Sequence, residues 1–172
     1  STNNVYQPID STMGLPEGLQ PGASDKRVPF YIGTETALPR FRIRGFGAAS
    51  TTPIPVYLPG EITLIKAEAL ARQAAPNLAA ALVELNKVVT KKPADDPFGV
   101  GADLPPIIGP LTQQELLVRI YQQRAIELYM AGLRLEDTRR FARPNTEKKR
   151  NFLPYPFQEK DNNPNTPDDP AF

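Results

Sequence analysis

Cysteine, histidine and tryptophan are all absent from these 172 residues, and methionine occurs only twice. Without cysteine there are no disulfides, no thiolate chemistry and no thiolate-ligated metal, and no cysteine pattern reports the redox compartment. The missing histidine removes the usual general base near neutral pH and the commonest metal ligand, so hydrolytic triads and zinc sites lose a main ingredient. No run of about 18 apolar residues is available to span a bilayer. The chain opens on Ser1 without the charged and apolar segments of a secretory signal. Two expectations follow: either the protein is cytoplasmic, or its targeting region lies outside these residues. Excess charge is lacking too. Twenty basic residues against 19 acidic ones leave a net charge of +1, too little for a global field that gathers nucleic acid or an anionic membrane.

Proline is plentiful, at 20 residues, against a usual share of roughly 5%. Much of the chain is therefore expected to be loop. Hydrophobic and charged contents of 40% and 23% are those of a globular protein, and the length suits one domain with its own core. Three stretches divide it. Residues 1–57 are rich in Pro, Gly, Ser and Thr, with short extended candidates at Val28–Ile32 and Phe41–Ile43. Residues 58–142 carry helical periodicity, and residues 143–172 are irregular again.

Within the middle stretch, "EITLIKAEALARQ" sets Ile62, Ile65, Ala69 and Arg72 on one helical face, with Leu64, Ala67 and Ala71 beside it. This predicts a helix beginning near Gly60. A short turn holding Ala75 and Pro76 precedes Asn77, an N-cap for a second helix through Leu78, Leu82, Leu85 and Val89. So short a connection predicts an antiparallel hairpin. Residues 91–111 hold five prolines and form a long linking loop. Thr112 and Glu115 then have the spacing of a capping box, and Leu117, Ile120, Tyr121, Arg124, Leu128 and Ala131 share one face of a third helix. Gly132 is expected to end it as a left-handed cap, with a shorter helical segment from Arg134 to Ala142 beyond.

That third helix carries charges inside its apolar stripe. Glu127 follows Arg124 by three positions, and Asp137 lies within reach of Arg134 and Arg140. Read structurally, Arg124, Glu127, Arg134, Asp137 and Arg140 form a partly buried ion network that penalises wrong registers, because a stranded buried charge costs several kcal/mol. Read catalytically, Glu127 and Asp137 are an acid and base pair of the kind used in glycoside hydrolysis. Each has an arginine within one helical turn, which favours the ionised form and makes a poor general acid. The structural reading is preferred, and no catalytic residue, metal or cofactor is expected. A basic run of Arg139, Arg140, Arg143, Lys148, Lys149 and Arg150 is broken by Glu136, Asp137 and Glu147 and has no aromatic platform, so no nucleic-acid partner is expected.

Four blocks in order, "ITLIKAEALAR", "AALVELNKV", "LTQQELLVRIYQQRAIELYMAGLRLEDTRRF" and "FLPYPFQEKDNNPN", resemble the C-terminal half of the SusD/RagB family of outer-membrane surface lipoproteins that capture nutrients. The likeness begins weakly at "SDKRVPFY" and strengthens after Glu61. Glu61 and Glu68 fall at the glutamates of the family's first helix in this region. Arg124, Glu127, Leu128, Gly132, Arg134, Asp137, Arg139 and Arg140 match its central signature. Leu153, Pro154, Pro156, Glu159, Asn163, Pro164 and Asn165 match its terminal motif. Leu133, Leu135 and Glu136 depart from it, standing where the family more often has a histidine, a tryptophan and another aromatic.

The resemblance implies a mainly α fold of tetratricopeptide-like hairpins with long ordered Pro/Gly-rich loops and little strand. It also implies a larger parent protein, with membrane attachment through a lipid anchor outside this chain. The implied function is non-catalytic binding of an oligosaccharide or peptide at the cell surface and its delivery to a TonB-dependent, SusC-like transporter. The competing reading is a helical-repeat scaffold for protein contact without a ligand site. Sugar recognition needs exposed aromatic faces, and Tyr6, Phe30, Tyr31, Phe41, Phe46 and Tyr57 lie in the loop-rich segment. Phe30, Tyr31, Phe41 and Phe46 are the ligand candidates, against the blander expectation that loop aromatics anchor the loop to the helices.

Overall fold

The computed structural model describes residues 8–36, 41–148 and 155–168. Tyr6, Lys149, Arg150, Leu153 and Pro154 lie outside the described residues. The fold is mainly α, with six helices and one two-stranded sheet among the described residues. It divides into two compact units, Ser1–Ala131 and Gly132–Phe172.

The first unit contains α1 (Arg27–Tyr31), β1 (Ile32–Thr34), β2 (Phe41–Ile43), α2 (Pro59–Ala71), α3 (Leu78–Val89) and α4 (Gln113–Glu127). β1 and β2 pair antiparallel, with Ile32 opposite Ile43 and Thr34 opposite Phe41. The extended reading of Val28–Ile32 is corrected here: Arg27–Tyr31 makes a helical turn and the strand starts at Ile32. Asp25 causes the bend. Its Oδ1 accepts from the Arg27 backbone N–H at 3.0 Å and from Arg27 Nε at 3.0 Å, so a side-chain pair two residues apart folds the backbone against local β propensity.

Helix α2 follows Leu58 at the N-cap with Pro59 in the first turn, where a missing N–H costs nothing. Asn77 caps α3 by accepting from the Ala80 N–H at 3.0 Å. The capping box of α4 is complete: Thr112 Oγ1 accepts from Glu115 N–H at 3.3 Å, and Glu115 Oε2 accepts from Thr112 N–H at 2.8 Å. α2 and α3 form the expected hairpin, and both pack on α4. The core between them is built from Leu64, Ala67 and Ala71 of α2, Ala81, Leu85 and Val88 of α3, and Leu116 and Ile120 of α4, all essentially fully buried. Alanines at three of these positions allow close approach. Ile62 and Ile65 stay exposed, so only the second of the two apolar faces on α2 turns inward.

The long connection after α3 is tied down by polar groups. Asn86 uses both ends of its amide on Ile107, donating to its carbonyl at 3.0 Å and accepting from its N–H at 2.8 Å. Asp103 N–H donates to the Lys91 carbonyl and Leu104 N–H to the Val89 carbonyl, while Val100 and Ala102 are fully buried. The leading segment is anchored as well, through buried Met13, Leu15 and Leu19.

α4 ends at Glu127, earlier than the predicted stop at Gly132. The Tyr31 hydroxyl donates to the Glu127 carbonyl at 2.6 Å, satisfying one of the acceptors a helix leaves open at its end. Met130, with φ 64°, takes the first left-handed position, and Gly132, with φ 81°, a later one. In the second unit, α5 (Arg134–Arg140) and α6 (Phe157–Asn162) are short. Local pairs decorate α5: Arg139 with Glu136 at 2.9 Å and Arg140 with Asp137 at 2.7 Å, followed by Arg143 with Glu147.

Candidate functional site

From Ile120 to the end of α4 at Glu127 every residue is buried, including Gln122, Gln123, Arg124 and Glu127. An amphipathic helix buries a stripe; here loops cover the other side as well. Buried polar groups must find partners, and the partners come from far along the chain. Gln122 donates to the Leu19 carbonyl at 3.1 Å. Gln123 Oε1 accepts from Arg27 Nη2 at 2.6 Å. Glu127 Oε2 accepts from Arg27 Nη1 at 3.2 Å, and its Oε1 accepts from Lys91 Nζ at 2.6 Å.

Both cations also hold a second carboxylate. Arg27 Nη2 donates to Asp25 Oδ2 at 2.7 Å, and Lys91 Nζ donates to Asp96 Oδ2 at 2.6 Å. Asp96 Oδ1 in turn accepts from the N–H groups of Phe98, at 2.9 Å, and Val100, at 3.2 Å. The result is an alternating row, Asp25, Arg27, Glu127, Lys91 and Asp96, with Lys91 alone retaining some exposure, at 13%. The first turn of α2 closes over it, since a methyl on Gly60 would land on the Glu127 carboxylate. That end of the helix carries positive partial charge, which suits a carboxylate.

Burial pulls the Arg27 pKa down, but the hydrogen bond and charge of Asp25 and the charge of Glu127 outweigh it, and the net shift is upward. Burial also pushes the Tyr31 hydroxyl well above its ordinary 10.0, with the Glu127 charge adding to the effect. Chemically this row is a clamp. Both oxygens of Glu127 are held by cations and its side chain is fully buried.

Of the charged residues singled out in the sequence, Asp137 and Arg140 are paired with each other, while Glu127 takes its ionic partners from Arg27 and Lys91. Arg124 is buried and Arg134 half-buried. Asp25, Arg27, Lys91 and Asp96 were not anticipated. One signal was available: Asp25 and Arg27 belong to the "SDKRVPFY" stretch that begins the family resemblance. Lys91, beside Lys92 at the start of a proline-rich loop, carried none.

The aromatic candidates gather in a second cluster. Phe30 meets Tyr31 at 4.8 Å and Phe46 at 5.4 Å, Tyr31 meets Tyr129 at 5.7 Å, and Phe46 meets Phe98 at 6.2 Å, all edge to face. Tyr31 is turned inward, Phe30 and Phe46 are half-buried, and Phe41 sits half-buried on β2. Tyr57 is exposed. Phe98, which the sequence did not single out, is the most exposed ring of the cluster.

Among the described residues no group of histidine, cysteine or carboxylate side chains could hold a metal ion, and no helix is long and apolar enough to cross a membrane. No curated protein and no solved structure matches the chain. The SusD family matches residues 46–170, from the 3-10 turn that carries Phe46 to beyond α6. With well over half its length matched, the chain belongs to the SusD family, whose members are nutrient-binding lipoproteins of the outer membrane.

Proposed function

We propose that this chain takes part in non-catalytic capture of a glycan, or of another nutrient such as a peptide, at the cell surface, and in its delivery to a TonB-dependent, SusC-like transporter. Attachment to the membrane is through a lipid anchor outside these residues. The observation that carries the reading is the family match over residues 46–170. Two features of the chain are in keeping with it. Glu127, the deepest carboxylate, is sealed between two cations, and Asp137 is paired with Arg140, so the acid and base pair that hydrolysis needs is committed to ion pairs. Capture sites of this shallow kind bind in the micromolar to millimolar range, about −8 to −4 kcal/mol.

Co-purification of the full-length protein from outer membranes, followed by calorimetry with oligosaccharides and peptides, tests the proposal. The expected result is a co-purifying transporter barrel and saturable binding of one ligand class without turnover. Transporter recovery with no ligand binding favours the scaffold reading. Turnover that is lost in folded Glu127→Gln or Asp137→Asn variants makes the protein an enzyme.

A further inference from the structure

Two segments far apart in the chain, residues 25–31 with α1 and the loop 91–104 after α3, are joined to each other as well as to α4. They share Glu127, whose Oε2 accepts from Arg27 at 3.2 Å and whose Oε1 accepts from Lys91 at 2.6 Å. The Lys26 N–H donates to the Ala102 carbonyl at 3.1 Å. A methyl on Gly99 would touch the Phe30 ring, and Phe30 stands edge to face with Phe46, which meets Phe98. Each segment is also closed on itself. Asp25 Oδ1 takes the Arg27 N–H, Asp96 Oδ1 takes those of Phe98 and Val100, and the Asp103 N–H donates to the Lys91 carbonyl. Residues 25–31 precede the span of the family match, 46–170, so this joint lies partly outside it.

We propose that the two segments form a latch: they dock on α4 and leave it as one cooperative unit, so that whatever loosens or holds one does the same to the other. Two effects of opposite sign compete. Arg27 and Lys91 repel, so charge alone would let Glu127 grip either cation harder once the other has gone. Water acts the other way. Arg27 and Glu127 are fully buried and Lys91 is 13% exposed, and ion pairs are strong only while dry. When residues 25–31 lift away, Glu127 is wetted, the hold of Lys91 on it falls toward that of a surface pair, and the Ala102 carbonyl loses its donor. When the loop lifts, Lys91 leaves with it, the Arg27 pair is wetted in turn, and the Lys26 N–H loses its acceptor. Loss of the shared dry environment, added to the broken backbone bond and ring contacts, outweighs the relief of one repulsion. The coupling is reciprocal by linkage, so a contact made on the loop from outside also orders α1. It does not depend on the glycan-capture reading.

Native-state amide hydrogen exchange on the full chain tests the latch, with the natural protein, Asp25→Asn and Asp96→Asn. Asparagine keeps the shape and an acceptor at each end of the row and removes the charge. Asp25→Asn should speed exchange about tenfold at Phe98, Val100 and Asp103, within the range over which members of one ion-pair network couple. Asp96→Asn should act by a like factor at Arg27 and at Arg44, whose N–H donates to the Tyr31 carbonyl. Leu85 and Val88, in the core of α3, should change less. Remote amides that keep their natural rates, or exchange more slowly, overturn the proposal, and so does an equal acceleration at Leu85 and Val88, which would make the row a matter of global stability alone. Should a variant fail to fold, the natural protein in low urea decides. One common opening free energy for both segments, below that of α3, supports the latch, and two separate ones overturn it.

Discussion

The end of α4 and the start of α5 lie seven residues apart in sequence and handle charge in opposite ways. Around Glu127 the ion pairs are long-range, reaching 100 and 36 residues back along the chain to Arg27 and Lys91, and they are fully or nearly fully desolvated. On α5 the pairs Arg139–Glu136 and Arg140–Asp137 are local, three residues apart, and their arginines are about 40% exposed or more, Asp137 alone being buried. Local spacing makes the second kind legible in sequence and worth little, because water and salt screen it. The first kind is invisible to spacing but holds the leading segment, α2, the loop after α3 and α4 in one register, since every wrong register strands a buried charge.

That contrast sets the order of effects. The largest is expected for Arg27→Ala, which leaves Asp25 and one oxygen of Glu127 without their cation and should lower stability by about 3 to 5 kcal/mol in urea unfolding. A loss below about 1 kcal/mol would mean that water reaches the row and the clamp is weak. Gly60→Ala comes next. Alanine gains about 0.5 to 1 kcal/mol of helix propensity, but its methyl meets the Glu127 carboxylate, and displacement of a fixed buried group outweighs the gain, leaving a net loss of about 1 to 3 kcal/mol. A stabilised variant would show that the carboxylate has room to move. Lys91→Met keeps the stem but frees Asp96 and half of Glu127. We expect a loss below that of Arg27→Ala, about 1 to 3 kcal/mol, because Lys91 borders solvent, together with faster amide exchange at Phe98 and Val100.

A pH profile sharpens the same comparison. Tyr31 is neutral in the folded protein with its pKa raised above the ordinary 10.0, so the folded state holds its proton more tightly than the unfolded chain does. Its contribution is present in full below pH 10 and fades as the pH rises past that value. Stability should therefore fall in alkaline solution, and Tyr31→Phe should flatten that fall while costing about 1 kcal/mol at neutral pH through the lost hydrogen bond. Tyr129, also pushed up chiefly by burial, leaves a residual slope. The smallest effect belongs to Glu136→Ala, where removal of a pair exposed on both sides should change stability by less than about 1 kcal/mol. A loss as large as that of Arg27→Ala would erase the distinction between the two regions.

Periodicity and capping chemistry were legible because they depend on neighbours within a turn. The hairpin of α2 and α3, the Asn77 cap and the Thr112–Glu115 box all follow from side chains three or four positions apart. The aromatic residues were visible as a group, but which ring faces in and which faces out was not. Tyr31 is drawn inward by the open carbonyl at the end of α4, whereas Asp96 holds the Phe98 backbone N–H and the Phe98 ring stays partly exposed.

By itself, then, the sequence determined the helical class, the proline-rich loops and the lack of histidine and cysteine chemistry, each a matter of composition or of contacts within one turn. Tertiary structure decided where α4 stops, which face of α2 is buried, and which cations meet Glu127. Those outcomes depend on segments up to 100 residues apart, and a buried charge selects its partner by desolvation and three-dimensional proximity, neither of which is written in the spacing of residues along the chain.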